Sequence, residues 1–478
     1  MSLQRKIFHN TLIQIAGKVA STGLNLFAFA LMTRELGQAG FGEYTTAITF
    51  LSFFAIIADL GLTLVTAQMI SSEPEKEEKI LGNLFGLRLV SALVFIGLAP
   101  IIVLFFDYSS GIKMGVLLAA ASFIFTALNQ IMVGLFQNRL KMDRVAWAET
   151  LSRFVLITGV ILSVVFDWGL AGILITTSAA SLASFLLHFY FARQFARISP
   201  LFESAWWRKI ITLSWPLAIT IAFNLIYLRA DTLILSLIKG QEEVGLYGAA
   251  YKIIDVLSSL PFMFAGIILP LLVTAWQLRD NERFSKVLQK SFDAMAIAAL
   301  PVVVGAQFLA DEIIVLIAGP EFIEAGAILR VLILAVAAIF LGNMAAHAII
   351  AVKAQKKVIG IYVFTGITSL IAYLYLIPRY SYFGAAAVTV YSESAIAVLT
   401  GIFLYRHLKL SLKLTGLVKA VIASAIMGAM LWFWPSAYAS TILGLLATLT
   451  LAAIVYVVSL FILRAFTKSD LELIMKQK

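Results

Sequence analysis

An all-α polytopic membrane protein is the fold class this sequence predicts: 14 transmembrane helices, in two pseudo-symmetric six-helix bundles plus a C-terminal helix pair. Three observations predict it. The 478 residues are 61% hydrophobic and 13% charged, with a mean hydropathy of +0.97. Soluble domains are roughly half apolar and about a quarter charged. Fourteen stretches reach the roughly 20 apolar residues that a span needs. They run about 7–32, 41–70, 80–106, 112–138, 145–166, 169–192, 209–238, 244–276, 291–318, 325–352, 358–377, 383–405, 414–434 and 439–463. Charge then sorts the loops between them.

With the N-terminus placed in the cytoplasm, 25 of the 36 Lys and Arg fall in cytoplasmic segments. Only Arg34, Lys113, Lys239 and Arg379 fall outside. Basic residues accumulate on the cytoplasmic side of membrane proteins. One span too many or too few near the middle would scramble this asymmetry, so both termini are expected inside. The net charge of +10 is then loop charge facing anionic lipid, and no nucleic-acid partner is expected. The absence of cysteine excludes disulfides and thiolate metal sites. Met1–Asn10 leads straight into a long apolar run, which reads as an uncleaved targeting segment.

The chain repeats itself. Gly37-Gln38-Ala39-Gly40-Phe41-Gly42-Glu43-Tyr44 joins the first two spans, and Gly240-Gln241-Glu242-Glu243-Val244-Gly245-Leu246-Tyr247 joins the seventh and eighth. The shared pattern, G-Q-x-x-[F/V]-G-x-Y, recurs 203 residues on. A weaker echo links Trp168-Gly169 with Phe383-Gly384. Six spans per repeat is an even number, so the halves are expected to be parallel, with a cavity between them near the membrane midplane. The expected divisions are 1–199, 200–410 and 411–478.

Seven basic residues lie inside the spans: Lys18, Arg88, Arg153, Arg229, Lys252, Arg330 and Lys419. An intramembrane charge costs about 3 kcal/mol or more, so it faces water or a partner and marks a functional path. Their excess over interior acids points to a cavity that attracts an anion.

In the first span Gln14, Lys18, Ser21 and Asn25 follow steps of 4, 3 and 4 and share one helix face. Either a polar seam or a wet cavity accounts for such a stripe; Lys18 and Asn25 are substrate-binding candidates. Asp59 in the second span has no basic neighbour on its own helix. Arg88 in the third has no helical partner, which makes it the stronger site candidate. Arg153 in the fifth has Glu149 at i−4, spaced for a same-face ion pair. Arg229 and Asp231 in the seventh stand two apart, on nearly opposite sides. In the eighth, Gly248, Lys252, Asp255 and Ser259 share a face; Lys252 can pair with Asp255 or reach Asp231. Arg330 and Lys419 sit near helix ends, where long basic side chains snorkel. Asp59, Asp231, Asp255 and Glu393 are the candidates for ion coupling. His347, with Asn343 at i−4, reads as a satisfied polar residue. Pro216, Pro261 and Pro270 can bend their helices.

No G-x-x-x-x-G-K-[ST] loop, H-E-x-x-H motif or catalytic triad is present, so no ATPase, metal site or enzyme is expected. No cofactor is expected either; the interior acids leave coupling to an H⁺ or Na⁺ gradient open.

Thr33-Arg34-Glu35-Leu36-Gly37-Gln38-Ala39-Gly40-Phe41-Gly42-Glu43-Tyr44, then Ile57-Ala58-Asp59-Leu60-Gly61-Leu62, then Val244-Gly245-Leu246-Tyr247-Gly248-Ala249-Ala250-Tyr251-Lys252, resembles the Wzx-type polysaccharide flippases of the multidrug/oligosaccharidyl-lipid/polysaccharide exporter superfamily. The resemblance implies a bacterial-type inner-membrane protein. It implies a cargo too: an undecaprenyl-diphosphate-linked sugar repeat unit moved from inner to outer leaflet, its headgroup in a cationic cavity. Arg and Lys suit a diphosphate through charge-assisted hydrogen bonds. Lys18, Asn25, Arg88, Arg153, Arg229 and Lys252 are the expected headgroup ligands. Expected partners are the lipid-linked glycan, membrane lipids, a polysaccharide polymerase and glycosyltransferases. In similar flippases the last two spans form a groove for the polyprenyl tail; a lipid-facing hairpin is the plainer reading here. The alternative function is a drug antiporter driven by cations, which would favour interior acids over interior bases.

Overall fold

A computed structural model describes residues 3–408, 412–435, 438–439 and 441–465, and the side chains of 3–20, 64, 67–68, 71–72, 74 and 216–228 lie outside that description. The described residues are almost wholly helical and contain no strand. Hydrocarbon offers the backbone no hydrogen-bond partners, so a spanning segment satisfies itself as helix.

The helices are α1 (Leu3–Asp59), α2 (Leu62–Ser72), α3 (Glu77–Ser91), α4 (Gly97–Ile102), α5 (Ser110–Asn138), α6 (Met142–Val165), α7 (Gly169–Ala192), α8 (Ser204–Ile238), α9 (Gln241–Gln277), α10 (Asn281–Ala318), α11 (Ala325–Ala351), α12 (Gln355–Leu408), α13 (Thr415–Phe433) and α14 (Ile442–Ile462). Eleven runs among the described residues are long and apolar enough to cross a membrane. Two of them each hold a pair of the predicted spans: α1 turns at Gly37 (φ 62°) and α12 at Ser381 (φ 50°). With α8 counted, the runs accommodate the fourteen spans read from hydropathy.

Two interruptions were not foreseen. The second span breaks at its middle, where Leu60 (φ 50°) and Gly61 (φ 76°) separate α1 from α2. The third span, from α3 to α4, passes through a π-helical turn at Ala92–Ile96. Such turns are rare and often sit at functional positions.

By packing, the chain forms two compact units, residues 1–248 with 373–382 and residues 249–372 with 383–478. In the first unit α5 is central. Its Ile112, Val116 and Ala119 meet Phe50 and Leu51 of α1, Ala99 of α4 and Leu174 of α7. Its other end, at Leu128, Leu135 and Phe136, packs with α2, α3 and Ile210 of α8. The segment before α8 is strapped to α3: Leu201 donates its N–H to the Gly82 carbonyl at 2.9 Å, and Glu203 N–H donates to Asn83 Oδ1 at 3.0 Å. A side chain at Gly82 or Gly86 would strike this strap. Charge reinforces it. Lys79 pairs with Glu203 at 2.8 Å, and Glu73 pairs with both Lys76 and Lys209. Lys209 and Lys76 hold the Glu73 carboxyl below its ordinary range. Their contribution is therefore present at neutral pH and is lost as pH falls through that depressed value; at an exposed site it is small.

In the second unit Leu309 of α10 packs with Met427 and Leu431 of α13 and Leu445 and Tyr456 of α14. The Tyr456 hydroxyl donates to the Ile297 carbonyl at 2.7 Å. Lys419 behaves as a snorkelling residue, capping α14 through the Arg464 carbonyl at 2.9 Å.

Candidate functional site

The broken second span holds a charge bonded to three helices. Ending α1 at Asp59 leaves its last carbonyls without helical donors. Ser91 of α3 donates to one of them, Ala58 O, at 2.8 Å. Arg88, one turn earlier, spends its guanidinium on the same break. Its Nε donates to Ala127 O of α5 at 3.0 Å. Its Nη1 pairs with Asp59, and its Nη2 donates to Thr63 Oγ1 of α2 at 3.2 Å. Thr63 in turn donates to Asp59 Oδ1 at 2.5 Å. The Arg88 and Asp59 side chains are 4% and 13% exposed. Sequence spacing left Arg88 and Asp59 each without a partner on its own helix; across helices they are each other's partner. The pairing with another span that the sequence left open for Asp59 is made by Arg88, so neither stands as an unpaired charge.

Arg153 is different. Glu149 stands one turn away, yet no ion pair joins the two among the described residues. Arg153 instead turns to α1, where its Nε donates to Ser21 Oγ at 3.2 Å and an Nη to Asn25 Oδ1 at 3.5 Å. Both acceptors are neutral, and among the described residues no carboxylate forms an ion pair with it. The side chain is only half-buried, which leaves donors of its five for another ligand. The polar stripe of the first span and the basic residue of the fifth, found separately in sequence, meet here. Lys18 and Gln14 of that stripe have side chains outside the described residues. Tyr44, the last residue of the first repeat motif, lies within electrostatic reach of Arg153.

Tyr247, the last residue of the second repeat motif, reaches a charged group as well. Its hydroxyl donates to Asp231 Oδ2 at 2.6 Å, and the Thr232 N–H and hydroxyl donate to Oδ1 at 2.6 and 3.1 Å. Asp231 is 0% exposed. Arg229 and Lys252 are half-buried. Asp255, expected inside, is exposed. Glu393 of α12 is 8% exposed and has no ion-pair partner among the described residues. Arg330, expected to snorkel at its helix end, instead locks α11 to α10. It pairs with Asp311 at 2.8 Å and exchanges bonds with Gln307 through Nε–H to Gln307 O at 3.1 Å and Gln307 Nε2 to Arg330 O at 3.0 Å.

The repeat motifs lie against one another. A Cβ on Gly42 would fall inside contact distance of the Gln241 carbonyl and 3.1 Å from Gly245 N, and one on Gly245 would strike the Gln38 carbonyl and stand 3.2 Å from Gly42 N. The clash is reciprocal, residue for residue, at the 203-residue offset. Thr46 adds a bond to Gln241 Oε1 at 2.7 Å. Among the described residues no cluster of His, Cys, Asp and Glu is arranged to hold a metal ion.

Comparison with known proteins gives this arrangement a setting. A putative O-antigen transporter of Shigella flexneri is 22% identical over 312 residues, 62% of this chain and 73% of that protein. The lipid II flippase MurJ in an inward closed conformation superposes with a TM-score of 0.79 at 18% identity, covering 95% of this chain and 98% of its own. An inward-facing multidrug resistance MATE family transporter of the MOP superfamily superposes with a TM-score of 0.68 at 13% identity, covering 84% and 98%. These two likenesses concern the fold. The sequence profile described as Polysaccharide biosynthesis protein matches residues 7–276, more than half of the chain, and the protein, as its motifs implied, belongs to that family.

Proposed function

We propose that this protein is a flippase for a polyprenyl-diphosphate-linked oligosaccharide repeat unit, moving it from the cytoplasmic to the outer leaflet by alternating access. The observation that carries the reading is Arg153. It is an intramembrane guanidinium held by Ser21 and Asn25, with no ion-pair partner among the described residues, in a chain of the polysaccharide biosynthesis family. A diphosphate supplies the missing negative charge, and its oxygens accept the remaining N–H donors in the fork geometry that Arg offers. Lys18, Asn25, Arg229 and Lys252 complete the proposed headgroup set. Arg88 leaves it, since Asp59 already occupies that guanidinium. The hydrophobic tail stays in lipid throughout. In this reading the working divisions are the repeats, 1–199 and 200–410, with 411–478 added. Both termini lie in the cytoplasm of a bacterial inner membrane, glycosyltransferases supply the cargo and a polymerase consumes it.

Glu393 and Asp231 are the proposed carriers of a coupled H⁺ or Na⁺; Asp255, being exposed, and Asp59, being paired, are weaker choices. A cation-coupled drug antiporter would favour interior acids over interior bases, and Arg153 weighs against that reading.

The test is Arg153→Glu in cells lacking their own copy of the gene. The variant is expected to insert at wild-type level and to abolish surface polysaccharide, with lipid-linked precursor accumulating on the cytoplasmic leaflet. Arg153→Lys should keep part of the export, because it keeps the charge and loses the fork. Normal polymer export by Arg153→Glu would sink the proposal.

A further inference from the structure

At one end of the second unit α10, α11 and α12 part around an apolar cavity of about 310 Å³. Deeper in, α11 and α12 touch: a Cβ on Gly342 would stand 2.9 Å from the Ala397 Cβ. Beyond that contact, toward Ala351 and Leu408, the space opens. Leu288 and Phe292 of α10, Leu341 and Met344 of α11, and Gly401 and Leu404 of α12 line it. A Cβ on Gly401 would meet nothing within 4 Å. From Ala397 to Leu404 the α12 axis advances about 10 Å, so the cavity has depth as well as volume.

The connection to α13 crosses the mouth. Leu412 and Leu414 belong to the lining, and Gln289 of α10 holds the residue between them. Lys413 N–H donates to Gln289 Oε1 at 2.7 Å, and Gln289 Nε2 donates to Lys413 O at 2.8 Å. One amide thus satisfies both backbone groups of Lys413, which is itself exposed, and sets the two leucines against the cavity. Val398, Tyr405 and Leu414 of the lining are 58%, 61% and 55% exposed, so the cavity opens at the surface of the unit.

Wall and rim together specify the occupant. The wall is hydrocarbon and aromatic throughout, and an unfilled apolar space forfeits the dispersion contacts of its lining. An acyl chain restores them. The rim is basic: the connections at this end, residues 353–357 and 406–413, carry Lys353, Lys356, Lys357, Arg406, Lys409 and Lys413 and no acid. Asp293, one turn along α10 from Gln289, accepts a bond from that amide at 3.0 Å. Clusters of Lys and Arg beside a membrane helix attract anionic lipid. A phosphodiester headgroup without an ammonium of its own complements this rim.

We propose that the cavity takes one acyl chain of an anionic phospholipid from the cytoplasmic leaflet, whose phosphate sits at the rim against Lys413 and Arg406. The choice of leaflet rests on the orientation proposed above; the site is separate from the Arg153 cargo site. The bound lipid fills the space under Leu412 and Leu414 and fastens the α12–α13 connection to α10.

The test uses the full-length protein, delipidated in detergent and then supplied with dioleoyl lipids bearing glycerol or choline headgroups, or with undecaprenyl phosphate. Lipid retention is counted by native mass spectrometry, with the shift in melting temperature as a second readout. The wild type is expected to retain the glycerol lipid in preference to the choline lipid. Gly401→Leu fills the cavity and should lower glycerol-lipid retention about tenfold; Ala345→Leu, also in the lining, serves should Gly401→Leu fold poorly. Lys413→Gln should lower glycerol-lipid retention by a similar factor, the equivalent of one lost charge-assisted bond, and leave choline-lipid retention unchanged. Unchanged glycerol-lipid retention in the cavity-filling variants overturns the proposal, as does equal retention of the two diacyl lipids by the wild type. Displacement of the glycerol lipid by an equal concentration of undecaprenyl phosphate would reassign the cavity to a polyprenyl chain and overturn the phospholipid assignment.

Discussion

Arg88→Met should lower the stability of the protein by about 3–5 kcal/mol, the cost of removing one partner of a buried ion pair and leaving the other uncompensated. The local geometry accounts for the size of the effect. Arg88 serves three helices at a helix break: Asp59 at the end of α1, Thr63 on α2 and the Ala127 carbonyl on α5. Removing it strands a carboxylate that is 13% exposed and takes away the side-chain link to α5. Asp59→Asn should cost a similar amount, since the guanidinium then carries its charge alone. The double variant Arg88→Met/Asp59→Asn should fall well short of the sum, because the second substitution removes the charge that the first had stranded. Arg88→Lys should be intermediate, as an ammonium cannot direct three donors along the guanidinium plane. Melting temperature and monodisperse fraction in detergent report the outcome. A headgroup-binding Arg88 would behave otherwise, giving wild-type melting and loss of transport alone. That result would return Arg88 to the cargo site.

Much of the architecture was legible in the sequence because the membrane simplifies the physics. A span is a long apolar run whatever its neighbours, and charge sorts its ends, so fourteen crossings emerged from hydropathy and Lys/Arg placement. Helix interruptions were harder, since they arise from bonds between spans. Gly61 was a local sign of the break after Asp59, for a left-handed residue at a helix end favours glycine. Near the π-helical turn at Ala92–Ile96 the sequence offers Gly97 and Pro100, and Pro100 has no N–H to give the Ile96 carbonyl. For charges, same-helix spacing proved a poor guide. Glu149 sits at the ideal i−4 distance from Arg153 and does not pair with it. Arg88, with no spaced partner on its own helix, bonds to three other helices. Arg330 found Asp311, an acid that the span reading had not counted as interior. One signal went unused: the repeat pattern ends in Tyr, and Tyr247 bonds Asp231 while Tyr44 lies near Arg153.

The reciprocal glycine contact supplies the second large effect, and its sign can be checked within one helix. Gly42→Ala and Gly245→Ala should each destabilise the protein, because the added Cβ meets backbone rather than a side chain that could rotate away. Relief requires the turn after the first span and the start of α9 to separate. Overpacking of this kind costs about 1–3 kcal/mol and occasionally more. The two substitutions meet the same pair of turns, so once either has parted them the other finds room, and the double variant should lie close to the worse single one. Gly266→Ala, farther along α9, is the control. A Cβ there meets nothing within 4 Å, and alanine is the better helix former, so this variant should be stabilised by about 0.5–1 kcal/mol. The same chemical change should thus lower the melting temperature at Gly42 and Gly245 and raise it at Gly266. Full additivity of the two destabilising changes would mean that the repeat motifs do not press on one another, and would remove the contact that joins the two halves of the 203-residue repeat.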